Sequence, residues 1–196
     1  MQSKHRIRLD FNAPVILSMT FISLGILILS TIFGDAVTRF LGVHFSSWKD
    51  PLMYLRLFTH ILPHGDFAHY TGNFMLILAV GPMVEERYGS KRLLWMILFT
   101  ALVTGLINII FFKHVLLLGA SGVVFMLILL ASYVNIREGH IPLTVILVAL
   151  LFIGNEIVTG MFSRDNISQI SHIIGGLCGG IFGFFLRVNK STKISS

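Results

Sequence analysis

The chain has 196 residues, of which 55% are hydrophobic and 12% are charged, and its mean hydropathy is +0.83. This composition excludes an ordinary soluble domain and indicates an integral membrane protein. The net charge of +6 does not indicate a nucleic-acid partner, because the basic residues lie at the ends of apolar runs and not along one face. The length allows about six membrane spans in one domain.

Six apolar stretches follow one another along the chain, and most are close to the roughly 20 residues that a bilayer requires. They cover residues 13–33, 67–84, 93–112, 121–136, 142–158 and 170–188. We therefore predict an all-α integral membrane protein, a six-transmembrane-helix bundle forming a single domain over residues 1–196. The long segment 34–66 between the first two helices is rich in aromatic residues and is predicted to form short amphipathic helices in the membrane interface.

The distribution of Lys and Arg predicts the orientation of the bundle. With a cytoplasmic N-terminus, the inner segments would carry Lys4, Arg6, Arg8, Arg87, Lys91, Arg92, Arg137, Arg187, Lys190 and Lys193, and the outer segments Arg39, Lys49, Arg56, Lys113 and Arg164. The excess of Lys and Arg in the inner segments over the outer segments follows the positive-inside rule, so both termini are expected in the cytoplasm. The second, fourth and sixth helices then begin on the outer side, which brings their first-turn polar residues to one depth.

The fourth stretch is short for a membrane span. Its sixteen residues would cover about 24 Å of a hydrocarbon layer about 30 Å thick. Ser121, at its start, would then lie below the outer surface, and irregular backbone at that depth must line a cavity or be covered by protein. The sequence therefore predicts a submerged pocket that water can reach.

Glycines share one face of the sixth stretch with His172, at three, four, seven, eight and eleven positions beyond it: Gly175, Gly176, Gly179, Gly180 and Gly183. Ser121 is followed by Gly122, so the fourth helix offers a matching surface for close approach. A serine becomes nucleophilic when a base such as imidazole lies within about 2.6 to 3.2 Å of its oxygen. A glycine zipper whose histidine only binds a neighbouring group is the alternative.

His69 and Asn73 are four residues apart and therefore lie on one face of the second helix. Neutral hydrogen-bond donors of this kind can stabilise the oxyanion of a tetrahedral intermediate. Their alternative role is to hydrogen-bond between helices, which such residues commonly do in membranes.

These motifs together resemble the rhomboid family of intramembrane serine proteases, of the bacterial GlpG type. The matching positions are His64-xxxx-His69-xxx-Asn73, Gly119-x-Ser121-Gly122, His172-xx-Gly175-xxx-Gly179, Arg56 and Glu85-x-Arg87-x-Gly89. Phe125 stands where close relatives often have a tyrosine that packs on the catalytic histidine. The resemblance extends over nearly the whole chain, and it implies the rhomboid bundle with a long interfacial loop between helices 1 and 2.

The resemblance further implies a serine endopeptidase that cleaves transmembrane segments of protein substrates within the lipid bilayer. Ser121 would be the nucleophile and His172 its base, while His69, Asn73 and the Ser121 backbone N–H would stabilise the oxyanion. Structural roles would fall to Arg56, Glu85, Arg87, Gly89, Gly119, Gly122, Gly175 and Gly179, and a histidine-packing role to Phe125. No cofactor, metal or nucleic acid is implied. The protein would lie in the bacterial inner membrane with its active site open to the periplasm, and substrate would enter beside the fifth helix under residues 160–168.

Three other interpretations remain open. His60, His64 and His69 could bind a metal ion, although the sequence has no His-Glu-x-x-His motif and no cysteine partner near them. Glu156 could serve as a third catalytic acid or as a proton relay in a small transporter. A non-catalytic rhomboid-like protein would bind membrane helices without cleaving them.

Overall fold

The computed structural model describes residues 10–134, five helical residues between 143 and 151, and residues 166–186, with side chains in the last range from residue 169 onward. In this part of the chain the seven bounded helices are α1 (Pro14–Phe33), α2 (Asp35–Leu41), α3 (Pro51–Thr59), α4 (Phe67–Tyr88), α5 (Ser90–Phe111), α6 (Ser121–Ser132) and α7 (Asn166–Phe185). The only strand-like pairing among the described residues is an isolated bridge between Val43 and Leu117. The predicted all-helical fold is confirmed.

Three of these helices, α1, α4 and α5, are long and apolar enough to cross a membrane, with 20, 22 and 22 residues. The apolar part of α7 and the whole of α6 are shorter. Most of the predicted span 142–158 lies outside the described residues, so the count of six spans stays a prediction.

Several helix ends differ from those expected from hydropathy. The second predicted span continues through Pro82 to Tyr88, and α5 begins at Ser90, so that only Gly89, with φ of 83°, connects the two helices. The fourth predicted span, 121–136, ends instead at Ser132, where the Tyr133 N–H bonds back to the carbonyl of Leu130. Hydropathy misses these ends because hydrogen bonds and glycine turns decide where a helix stops, and apolar composition does not mark them.

A buried carboxylate joins α1 to α4. Glu85 is only 3% exposed, and its two oxygens accept the backbone N–H groups of Val15 and Ile16, each at 3.0 Å. The first N–H groups of a helix have no partner within it and favour a negative charge, so the Glu85 side chain caps α1 from a neighbouring helix.

The interfacial segment contains α2 and α3, linked by side-chain hydrogen bonds to backbone. Arg56 Nε donates to the carbonyl of Phe40 at 3.0 Å, and Thr59 Oγ1 donates to the carbonyl of Leu41 at 2.8 Å. Asp50 caps α3 by accepting the N–H of Leu52 at 2.9 Å. The first two of these bonds join α3 to the end of α2 within the segment.

Candidate active site

The turn at residues 119–121 is held by the connection between α3 and α4. The Gly119 N–H donates to the carbonyl of His60 at 2.9 Å, and the Ala120 N–H donates to Nε2 of His64 at 3.3 Å. Ser121 is the first residue of α6, so its own N–H has no acceptor within the helix. The turn therefore presents Ser121 at the positive end of the helix dipole.

Gly119 is required by both conformation and space. Its φ is 108°, and a Cβ built on it would lie 2.7 Å from both Cε1 and Nε2 of His69. Residues with side chains rarely adopt this φ, and real Cβ contacts are never so short. The missing side chain lets the turn pack directly on the His69 ring.

His69 and Asn73 lie in the first two turns of α4. Asp66 caps this helix and accepts the N–H of His69 at 2.7 Å. Asn73 is 8% exposed, and its buried Nδ2 has no hydrogen-bond partner among the described residues. The same atom lies 3.7 Å from the position of a Cβ on Gly119. A buried amide donor without a partner costs about 1–3 kcal/mol. The Asn73 amide is therefore able to donate a hydrogen bond to a group placed beside the turn.

The α6 and α7 helices run parallel with their backbones in contact. A Cβ on Gly175 would collide with the carbonyl group of Gly122, and one on Gly179 would collide with the carbonyl group of Met126. One turn farther, Gly183 packs on the ring of Tyr133. Three of the five glycines predicted to share a face, Gly175, Gly179 and Gly183, therefore pack closely on the helix carrying Ser121, whereas Gly180 has no atom within 4 Å of a built Cβ.

His172 lies on this contact face, one turn before Gly175. Its ring stacks on that of Phe125 with a centroid separation of 4.4 Å and an interplanar angle of 6°. Phe125 follows Ser121 by four residues, so the two share a face of α6. His172 also lies near enough to His69 for the two rings to interact electrostatically. The described structure thus gathers Ser121, His172, His69 and Asn73 around one end of α6.

His60 and His64, considered above as metal ligands, bind backbone groups instead. His60 Nε2 lies 3.0 Å from the carbonyl of Ala101, and His64 Nδ1 lies 3.0 Å from the carbonyl of Leu62. His64 Nε2 accepts an N–H, so the hydrogen-bond pattern assigns its proton to Nδ1. Within the described ranges, no three His, Cys, Asp or Glu side chains cluster as a metal site requires.

The two histidines are also held neutral by burial. Desolvation lowers the pKa of His60 to about 4, although its bond to Ala101 opposes the shift. Desolvation, followed by the nearby His69, lowers the pKa of His64 to about 4. Sequence reasoning did not find their role in holding the turn, because a spacing of histidines does not reveal which backbone groups they will meet.

The other predicted residues lie outside this group of side chains. Glu85, Arg87 and the C-cap residue Gly89 lie at the far end of α4, about 24 to 30 Å from His69 at the helical rise of 1.5 Å per residue. Arg56 lies in the interfacial segment. Glu156 and residues 160–165 of the predicted gate lie outside the described residues, and residues 166–168 belong to the first turn of α7.

Comparison with known proteins identifies the family. The model of the rhomboid domain matches residues 51–189. The chain is 35% identical over 127 residues to the rhomboid protease GluP of Bacillus subtilis, an alignment that covers 65% of this chain and 25% of the relative. It is 29% identical over 188 residues to the rhomboid protease GlpG of Pectobacterium atrosepticum, covering 91% of this chain and 64% of the relative.

The chain therefore spans about a quarter of one relative and somewhat less than two-thirds of the other. The family match covers most of the chain and includes both the turn before α6 and the glycine face of α7. The resemblance inferred from the motifs is confirmed: this chain belongs to the rhomboid family.

Proposed function

We propose that the protein is an intramembrane serine endopeptidase in which Ser121 is the nucleophile and His172 is its base. The observation that carries the proposal is the backbone contact between Gly122 and Gly175. Ser121 precedes one of these glycines and His172 lies one turn before the other. Two short side chains on separate helices can meet only where the helices approach this closely. The stacking of His172 on Phe125 supports the proposal, because it orients the imidazole toward α6.

In the proposed reaction, Ser121 Oγ attacks the carbonyl carbon of the scissile peptide bond while its proton passes to a nitrogen of His172. The tetrahedral intermediate collapses when His172 returns this proton to the leaving amine, which leaves an acyl group on Ser121. Water, deprotonated by His172, then hydrolyses the ester and restores the serine. The proposed mechanism requires no cofactor.

The oxyanion would be bound by Asn73 Nδ2, His69 and the Ser121 backbone N–H. The buried, unpartnered state of Asn73 Nδ2 within the described structure supports this assignment, as does the position of the turn beside His69. Loss of one such donor typically costs about 100- to 1,000-fold in rate. The N-terminal end of α6 adds a favourable dipole at the same point.

The proposed substrates are transmembrane segments of other membrane proteins, reached within the bilayer. The long apolar helices support this setting, and both bacterial relatives are named rhomboid proteases. We further propose six spans, cytoplasmic termini and an active site that opens toward the periplasm of a bacterial inner membrane, from the excess of Lys and Arg in the segments assigned to the inner side.

The test is cleavage of a single-span substrate by the purified, detergent-solubilised protein. Ser121→Ala and His172→Ala should each abolish cleavage without changing the thermal unfolding temperature by more than a few degrees. A fluorophosphonate should label the wild type at Ser121, and a chelator should have no effect. Cleavage by the Ser121→Ala variant at the wild-type rate, or loss of activity with the chelator, would disprove the proposal.

A further inference from the structure

A basic pocket lies on the same side of the bundle as Ser121 but outside the candidate active site. It has a volume of about 710 Å³ and is bounded by α2, the α2–α3 connection, α3 and the α5–α6 loop. Its nitrogen-bearing side chains are Arg39, His44, Arg56, Lys113 and His114, and no carboxylate is among its lining residues. This volume is within the range of small-molecule sites.

The charges in this pocket are unusual for their side of the membrane. In the proposed orientation only five Lys and Arg residues are on the outer side, and Arg39, Arg56 and Lys113 are three of them. The positive-inside bias disfavours basic residues in such segments. Their concentration around one cavity therefore calls for a local reason.

Little of this positive charge is neutralised by the protein. Arg56 contacts Asp50, with Nη1 and Oδ2 3.5 Å apart. Neither Arg39 nor Lys113 forms an ion pair with a carboxylate in the described part of the chain. The Lys113 Nζ lies 5.2 Å from the centroid of the Phe45 ring, a cation–π contact that leaves its charge uncompensated. An anion in the pocket would meet two cationic side chains at once.

The remaining wall of the pocket is apolar. It is formed largely by Phe40, which is 54% exposed, with Phe45 and Leu116. Trp48, 57% exposed, contacts the Phe45 ring edge-on at a centroid distance of 5.2 Å. Exposed aromatic rings of this kind favour the headgroup level of a bilayer. A soluble anion would gain nothing from this wall, whereas a lipid would bury its glycerol and upper acyl carbons there.

We propose that this pocket binds the phosphate group of an anionic phospholipid. Arg39 and Lys113 contact the phosphate oxygens, since guanidinium and ammonium groups form strong charge-assisted hydrogen bonds with phosphate. Phe40 and Leu116 contact the apolar part of the same lipid. Inorganic phosphate shares the recognised chemistry but lacks the apolar part. The site is separate from Ser121, so the proposal does not depend on proteolytic activity.

The experiment measures lipid binding to the full chain, purified in a neutral detergent, by native mass spectrometry. Phosphatidylglycerol, phosphatidylcholine and inorganic phosphate are titrated separately. Phosphatidylglycerol should bind at least about tenfold more tightly than phosphatidylcholine. The double variant Arg39→Gln/Lys113→Gln should lose about tenfold or more of this affinity, which corresponds to about 1.4 kcal/mol.

The control variant Lys49→Gln/Lys91→Gln removes the same charge at two exposed residues outside the pocket and should bind phosphatidylglycerol as the wild type does. If the double pocket variant unfolds at a lower temperature than the wild type, the single variant Lys113→Gln replaces it in the test. This variant should lose part of the affinity for phosphatidylglycerol. Equal affinity of wild type and folded pocket variants for phosphatidylglycerol would overturn the proposal. Pocket-dependent binding of inorganic phosphate without any preference for the anionic lipid would overturn the lipid assignment.

Discussion

Substitution of Gly175 by Ala tests whether the backbone contact between α6 and α7 controls activity. A Cβ at this position would lie 2.7 Å from the carbonyl carbon of Gly122 and 2.9 Å from its Cα. Ordinary carbon contacts are about 3.5–4.0 Å, so the helices must separate by about 1 Å. The obstacle is backbone, and no side-chain rotation can relieve it.

We expect two consequences from this separation. Overpacking of this kind costs about 1–3 kcal/mol of stability. A displacement of about 1 Å between catalytic groups can lower the rate about 100-fold, so kcat/KM of Gly175→Ala should fall by about two orders of magnitude. The assay is cleavage of a single-span substrate in detergent, with thermal unfolding of each variant followed in parallel.

Gly180→Ala is the matched control in the same helix, because no atom lies within 4 Å of its built Cβ. Alanine is a better helix former than glycine by about 1 kcal/mol, so this variant should be at least as stable as the wild type and equally active. If Gly175→Ala retains activity within a few-fold of the wild type, or if both variants lose activity alike, the close contact does not position the catalytic groups.

Three further predictions concern the supports of the bundle and the turn. Glu85→Ala should lower the free energy of unfolding by about 2–4 kcal/mol, because two N–H groups at the start of α1 lose their acceptor. The control Glu86→Ala, at an exposed residue, should have little effect. Equal losses of stability for the two variants in chemical unfolding would refute the capping role. The pKa of His64 is lower in the folded state, about 4, than its usual 6.5, so its contribution is present above pH 6.5 and is lost as pH falls toward 4. His64 should account for about 3 kcal/mol of the fall in unfolding free energy over this interval, to which His60 adds a fall of its own, and a slope unchanged in His64→Gln would contradict the assignment. Gly119→Ala should be both less stable and nearly inactive, since the added methyl group must displace the His69 ring and strains the backbone; a stable variant with wild-type cleavage would show that the turn tolerates a side chain.

Much of the candidate site follows from periodicity. The interval between His172 and the later glycines predicts that they share a face, and Gly175, Gly179 and Gly183 of this face pack on α6 and on Tyr133. Spacing also predicts that His69 and Asn73 lie together. Such inferences succeed because the helical repeat depends on backbone geometry alone.

Contacts between distant segments could not be predicted in the same way. Nothing in the order of residues shows that Glu85 accepts the N–H groups of Val15 and Ile16. Nor does it show that His64 holds the N–H of Ala120, 56 residues later. The spacing of His60, His64 and His69 left a metal site open as an alternative. Only the arrangement of the chain decides which of these groups meet.

By itself, the sequence determined the membrane class, the helical fold, the family and the faces on which the polar residues lie, because these depend on composition and on the repeat of a single helix. The tertiary structure alone decided which faces touch, where buried carboxylates and imidazoles find partners, and that Arg39 and Lys113 border one cavity. The physical reason is that hydrogen bonds and close packing are short-range, so they depend on distances in space that separation along the chain does not specify.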